Sequence, residues 1–444
     1  MFETILAGGI VVTAEGESRA DVAIDGAHIA ALLSPGEAAA ARHVIDVNGC
    51  HLLPGLIDAH AHLREPGLTE KEDFLSGTHA AALGGVTTVL DMPTDKPWTA
   101  TAADLRWKMQ AAVGRLYVDV GFQVVASKDL SLLVELAALA PVSCEIFTAD
   151  VPDRFRFEGV DEVANALRSL GRYRMIAGLS PGDESILRSH KAQPHLGDIA
   201  AFLASRPPLA EANGIARAIL AASATRAAGH IRQINSAFGL ETWRRMRDMA
   251  DLSVETTPQN LFFDAQAYET RGAALKASPP FRNKEDVAAL RAAVGSGLID
   301  IMVTDHAPHT PAEKAASYGT FADIPGGMPG LQTLLQAMIR LVDEKLITLS
   351  DVVRMCSVSP ARRFGLGRRK GVIAPGHDAD IVVIDRRQPD VIRSELQVSR
   401  AGYTPFDGWK IGASLRRVFL RGVEIARDGR LTGEPRGVVV TGAF

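Results

Sequence analysis

Apolar runs rich in β-branched residues alternate with helix-like stretches through most of this chain, and that alternation limits the fold more than any other feature. The runs VTTVLDMP, VDVGFQVVA, SCEIFTAD and IDIMVTDHAP are separated by helical segments such as DVAALRAAVGSG and GLQTLLQAMIRLVDEK. Strand followed by helix, repeated over about three hundred residues, predicts a parallel barrel or an open α/β sheet. Polar residues of chemical interest stand just after the apolar runs, where barrel strands end and active sites lie. The Ala-rich stretch EANGIARAILAASATRAAG reads as an ordinary helix.

The two ends of the chain have a different texture. ETILAGGIVVT, DVAIDG and HIAALL near the start, and GVIAPGHDADIVVID with LRRVFLRGVEIARDG near the end, read as short strands punctuated by glycine. An all-β pattern at both termini predicts that the ends join in one module. With 444 residues, one barrel of about 250 residues plus a smaller module accounts for the length. The formal net charge is −4 with no long basic run, which argues against a nucleic-acid or membrane-surface partner. Cys50, Cys144 and Cys356 are scattered and form no CxxC pair, so a disulfide framework or thiolate zinc site is not expected and a reducing cytoplasm is. MFETILAGGIVV carries an early Glu3 and no basic leader, and reads as a strand rather than a signal peptide.

The sharpest local signal is LLPGLIDAHAHLREPG, residues 52–67, with His60 and His62 two apart after an apolar run. On a strand that spacing sends both rings to one face, where two imidazoles can hold a divalent metal. A lone HxH also arises among satisfied core histidines. VTDHAPHT adds Asp305 at the end of another apolar run, where it can hold a metal and take a proton from water. The plain alternative for Asp305 is a helix N-cap.

Together with AALGGVTTVLDMPTDKP, ASPPFRNKED, IPGGMPGLQTLL, SPARRFGL and PGHDADIVVID, these motifs make the chain resemble dihydroorotase, with allantoinase and hydantoinase as relatives in the cyclic amidohydrolase group. The resemblance runs almost the whole length in the same order. It implies a TIM (β/α)8 barrel at residues 54–367, with a small β-sandwich built from residues 1–53 and 368–444. It also implies a cytoplasmic zinc hydrolase of pyrimidine metabolism, self-associated as a dimer or tetramer, that opens a cyclic amide such as dihydroorotate to N-carbamoyl-aspartate. A hydantoinase, allantoinase or imidase activity is the alternative within the group. A non-catalytic scaffold is the alternative outside it.

The family pattern holds two metals, and the chain departs from it. His60, His62 and Asp305 match the ligands of the first ion. Glu145 in SCEIF stands where a carboxylated lysine normally bridges both ions; it is expected to bring a carboxylate to the metal, the other reading being an inward residue paired with a base. Ser180 in AGLSPGDES and Gln233 in HIRQINSA stand where the second ion has histidines, and neither is a usual zinc ligand. The expectation is therefore one ion, held by His60, His62, Asp305 and Glu145, working through a single metal-bound hydroxide with Asp305 as proton shuttle. His230 reads as a core or supporting histidine, and His190 and His195 as loop residues. Arg64 and His309 match residues that hold the substrate carboxylate, Arg64 offering a planar fork; its bland reading is a surface pair with Glu65. Thr94 and Ser278 replace family asparagines in the same pocket. Arg206 and Glu211 are expected to support the site or the fold.

Overall fold

The computed structural model describes residues 1–191 and 198–442. His195 lies outside the described residues. The first strands, β1 (Phe2–Val12), β2 (Glu17–Asp25), β3 (His28–Leu33), β4 (Ala41–Asp46) and β5 (His51–Pro54), build one side of a nine-stranded sheet. The chain then passes through Gly55 directly into β6 (Leu56–Ala61). A side chain at Gly55 would meet Thr87 Oγ1 at 2.1 Å, so this tight passage from sheet to barrel requires glycine.

From β6 onward the expected alternation appears. The strands β7 (Val86–Asp91), β8 (Asp119–Val125), β9 (Ser143–Phe147), β10 (Ala177–Ser180), β11 (Gly229–Ile231), β12 (Leu252–Thr256) and β13 (Ile301–Met302) follow in order, with helices between them. Each pairs in parallel with its sequence neighbour. A parallel bridge between Ala61 and His306 brings the last turn of the barrel back to the first strand. The result is a TIM-like barrel of eight strands. Their near-complete burial explains why they read as continuous apolar runs rather than alternating ones. The Ala-rich stretch forms the helix Pro208–Thr225, packed through Ile215, Ala218, Ile219 and Ala222.

After the barrel, β14 (Ile381–Asp385) returns to pair antiparallel with β5. A short ribbon of β15 (Asp390–Val391) and β16 (Lys410–Ile411) stands apart. The strands β17 (Ser414–Leu420), β18 (Val423–Arg427) and β19 (Arg430–Leu431) complete the nine-stranded sheet in the order β19-β18-β17-β14-β5-β1-β2-β3, with β4 beside β1. Both chain ends therefore share one sheet and one core, in which Leu6, Val22, Leu52, Ile381, Val383 and Phe419 are buried. One strand departs from the expected division: β20 (Val439–Val440) leaves this sheet and pairs in parallel with β8 of the barrel. No helix among the described residues is long and apolar enough to cross a membrane. All three cysteines are free and buried.

Barrel and sheet are joined by a buried ionic cluster. Lys370 Nζ lies 2.8 Å from Asp119 of β8, 2.6 Å from Asp380 and 3.3 Å from Asp378. Arg421 binds the other oxygen of Asp119. Three carboxylates converging in this way could resemble a cation site, but the ammonium already fills the middle. Burial opposes the Lys370 charge, yet Asp380 and Asp119 hold its pKa above the ordinary lysine value. Replacing Lys370 by Met should therefore cost about 3–5 kcal/mol in urea unfolding, because buried carboxylates are left unpaired. A loss below about 1 kcal/mol would show that the cluster does not join the two modules.

Candidate metal centre and cavity

The candidate residues gather at the C-terminal ends of the barrel strands, where eight loops meet. His60 is the penultimate residue of β6 and His62 directly follows the strand, with ring centroids 5.5 Å apart. Asp305 follows β13 and directs Oδ1 at both rings, 3.4 Å from His60 Nε2 and 3.2 Å from His62 Nε2. A tetrahedral zinc with bonds of about 2.0–2.1 Å sets its ligand atoms about 3.3 Å apart. These two edges have that length, so two imidazoles and one carboxylate fit one such ion.

The opposite ring nitrogens are held from behind. His62 Nδ1 is 2.9 Å from Thr94 Oγ1, and His60 Nδ1 is 2.5 Å from Glu255 Oε1. Partners of this kind fix the tautomer and leave Nε2 for the ion. Burial drives the His62 pKa down to about 3. Burial also opposes charge on His60, but Glu255 and Asp305 outweigh it and raise its pKa. Asp305 shows the converse: burial would raise it, while His60, His62 and Gln233 hold it below the ordinary carboxylate range. Gln233 Nε2 donates to Asp305 Oδ2 at 2.5 Å. Arg64, Gln233 and Asp305 all have positive φ, at 62°, 42° and 45°. Left-handed backbone at three non-glycine residues of one site is strain that the surrounding fold must hold in place.

Glu145 does not join this cluster, contrary to its expected place as a metal ligand. Among the described residues the converging group is His60, His62 and Asp305. Glu145 turns both carboxylate oxygens to Arg232, with Oε1 2.5 Å from Nη2 and Oε2 3.3 Å from Nε. The base that captures it comes from a strand end 87 residues further along the chain. Arg232 and Glu255 are the residues that sequence reasoning missed. Both stand at or just beyond the end of an apolar run, in HIRQ and LSVETT, the same signal that singled out Asp305.

A cavity of about 270 Å³ opens over the cluster; its wall includes His60, His62, Asp305, Thr94, Ser180, Gln233, Ser278 and Arg232, the charged Asp150, Arg206, Glu211 and Arg282, and the apolar Met92, Phe147, Val151, Leu187 and Pro279. Arg64 and His309 are not part of this wall. They meet each other, Arg64 Nη2 to His309 Nε2 at 3.3 Å. Glu65 turns away to Arg115, so Arg64 does not form the surface pair with its neighbour. The Nε of Arg64 is buried without a partner among the described residues. His230 is a core histidine, 2.7 Å from Ser253 Oγ and 2.8 Å from Glu255 Oε2. His190 ends the helix Glu184–His190, with Nδ1 on the Ile186 carbonyl. Glu211 accepts from the backbone of Asn235 and Ser236, and Arg206 pairs with Asp150 at 2.6 Å.

The sequence model of the amidohydrolase family matches residues 51–169 and 230–425. The chain is 33% identical over 394 residues to a dihydroorotase of Methanothermobacter thermautotrophicus, covering 88% of each chain. It is 31% identical over 445 residues to a D-phenylhydantoinase of Escherichia coli, covering 97% of this chain and 96% of that one. Its fold matches the solved structure of an L-hydantoinase (dihydropyrimidinase) from Arthrobacter aurescens with a TM-score of 0.95 at 26% identity, over 99% of this chain and 100% of that one. The protein belongs to the amidohydrolase family and, within it, to the cyclic amidohydrolase group.

His309 carries a pH signature. Burial, then the Arg64 charge, lowers its pKa to about 4. An unfolded histidine binds its proton near pH 6.5. Below that pH the unfolded chain takes up a proton that the folded protein refuses, so stability falls as pH drops from 6.5 towards 4. Between pH 7 and pH 5 the metal-free wild type should lose about 1–2 kcal/mol more than its His309→Gln variant in urea unfolding. Parallel losses would place the histidine in a solvated setting.

Proposed function

We propose that the protein hydrolyses the C–N bond of a cyclic amide that carries a carboxylate, as a dihydroorotase does, at a site for one divalent ion. The observation that supports the carboxylate is Arg64. Arg64 stands two residues after His62, off the cavity wall; its side chain is partly buried, with Nε enclosed, and its Nη2 faces His309, with no acid within salt-bridge distance among the described residues. A partly buried guanidinium in that state favours an anion, and its planar fork matches a carboxylate.

His60, His62 and Asp305 would hold the ion. Two imidazoles and a carboxylate suit zinc, which when bound lowers the pKa of water towards 7. The rest of the reaction is assigned to the chain's own groups. Thr94 and Glu255 keep the two imidazoles oriented. Asp305 accepts the proton of the attacking water and returns it to the departing ring nitrogen, with Gln233 holding its Oδ2 in line. Ser278, on the cavity wall, borders the ring.

The apolar part of the wall, Met92, Phe147, Val151, Leu187 and Pro279, favours a second reading: an uncharged hydantoin with an apolar substituent, the kind of ring that a D-phenylhydantoinase is named for. Purified protein should be assayed on dihydroorotate and on 5-phenylhydantoin, before and after Arg64→Met. The carboxylate reading expects kcat/KM on dihydroorotate to fall on the order of a hundredfold, with any activity on the uncharged ring changed only severalfold. Equal losses on both rings, or preference for the uncharged ring in the unmutated protein, would favour the second reading.

Metal removal is an independent check. A chelator should abolish turnover, and one equivalent of zinc per chain should restore it. Turnover on neither ring after zinc is supplied would refute hydrolysis of this class.

A further inference from the structure

The positions that would serve a second ion have other work in this chain. Ser180 offers only a hydroxyl to the cavity. Gln233 is committed to Asp305. Glu145, the carboxylate that a second ion would need, is engaged by Arg232 at both oxygens. These residues do not fit a second metal ion. The cation that meets Glu145 belongs to the protein itself, Arg232.

Arg232 is 1% exposed, and each of its five N–H groups has an acceptor. Nε and one proton of Nη2 go to Glu145, and the other proton of Nη2 goes to Gln123 Oε1. Nη1 donates to the Ala59 carbonyl at 3.0 Å and to Glu255 Oε2 at 3.1 Å. The ring of Phe364 lies 5.6 Å from the guanidinium carbon. Four barrel strands, β6, β8, β9 and β12, are thus tied to one side chain. With no N–H to spare, Arg232 cannot bind a substrate oxygen as well. Its reach to the reaction runs through Glu255, whose other oxygen accepts from His60 Nδ1.

The lattice around the guanidinium is shaped for it. A side chain at Gly178 of β10 would meet Glu145 Oε1 at 1.7 Å and Oε2 at 2.5 Å, so the missing Cβ makes the space into which that carboxylate folds towards Arg232.

We propose that Arg232 is a built-in cation that takes the place of a second metal ion: it limits the site to one ion per chain and, as a positioning residue acting through Glu255, holds His60 in its ligating orientation. This rests on the chain's metal triad and not on the choice of ring, so a failed substrate assay would leave it standing.

The test is zinc binding, read without any substrate. Metal-free protein is dialysed against rising zinc, bound zinc is counted per chain by elemental analysis, and affinity is measured by competition with a chelating dye. Wild type should saturate at one ion per chain. Arg232→Met should weaken that ion by 10- to 100-fold, the range found when a supporting partner of a ligating histidine is lost. Arg232→Lys should recover part of the loss, because it keeps the charge but cannot span both acids. Should Arg232→Met fail to fold by circular dichroism, Gly178→Ala is the substitute. Its added methyl displaces the Glu145 carboxylate, and it should weaken zinc severalfold. Two tightly held ions per wild-type chain would overturn the proposal. So would wild-type zinc affinity in folded Arg232→Met, or in Gly178→Ala where that is the variant used.

Discussion

A single guanidinium buried in the mouth of the barrel sets the state of the groups around it. Taking Arg232, Glu145 and Glu255 out of water is expensive, and the attraction among them offsets that cost only where geometry is good and every proton finds an acceptor. Here every one does. With the guanidinium in place Glu255 stays ionised, held well below its usual range against the pull of burial by His60 and Arg232. An ionised Glu255 in turn orients His60, which meets Asp305, which is steadied by Gln233. The cluster of His60, His62 and Asp305 is the outer end of a chain of charges that begins inside the barrel.

The barrel supplies rigid strand ends on which a few polar groups are held to within fractions of an ångström, at the cost of left-handed backbone at Arg64, Gln233 and Asp305. The cavity wall is drawn from strand ends, from the loops that follow them and from the helices Glu184–His190 and Pro208–Thr225. Relatives of similar identity bear the names of dihydroorotase and D-phenylhydantoinase, so overall likeness does not by itself choose a ring. In this chain the wall mixes apolar side chains with polar and charged ones, and Arg64, whose Nε has no partner among the described residues, lies off it.

Much of this was legible from local pattern. The barrel announced itself in the alternation of apolar runs and helical stretches, because strands buried on both faces must be apolar throughout. The shared terminal sheet followed from matching texture at both ends, and β5 and β14 do pair. His60, His62 and Asp305 were found because a strand's period and the barrel's geometry place strand-end residues together. The sequence does not mark β20: two valines near the end of the chain carry nothing that distinguishes a further strand of the terminal sheet from a partner of β8 in the barrel.

The sequence by itself determined the fold class, the pair of modules and the meeting of His60, His62 and Asp305, since each depends on periodicity and on residues that the fold must bring to one rim. Only the tertiary structure decided the fate of Glu145. Whether an inward carboxylate meets an ion or a base depends on which side chain crosses the barrel to reach it, and Arg232 does so from two strands away. Thr94 likewise reads as a pocket residue, yet its hydroxyl is committed to His62. Such pairings are set by strand register and by how closely the barrel packs, and they leave no trace in the spacing of residues along the chain.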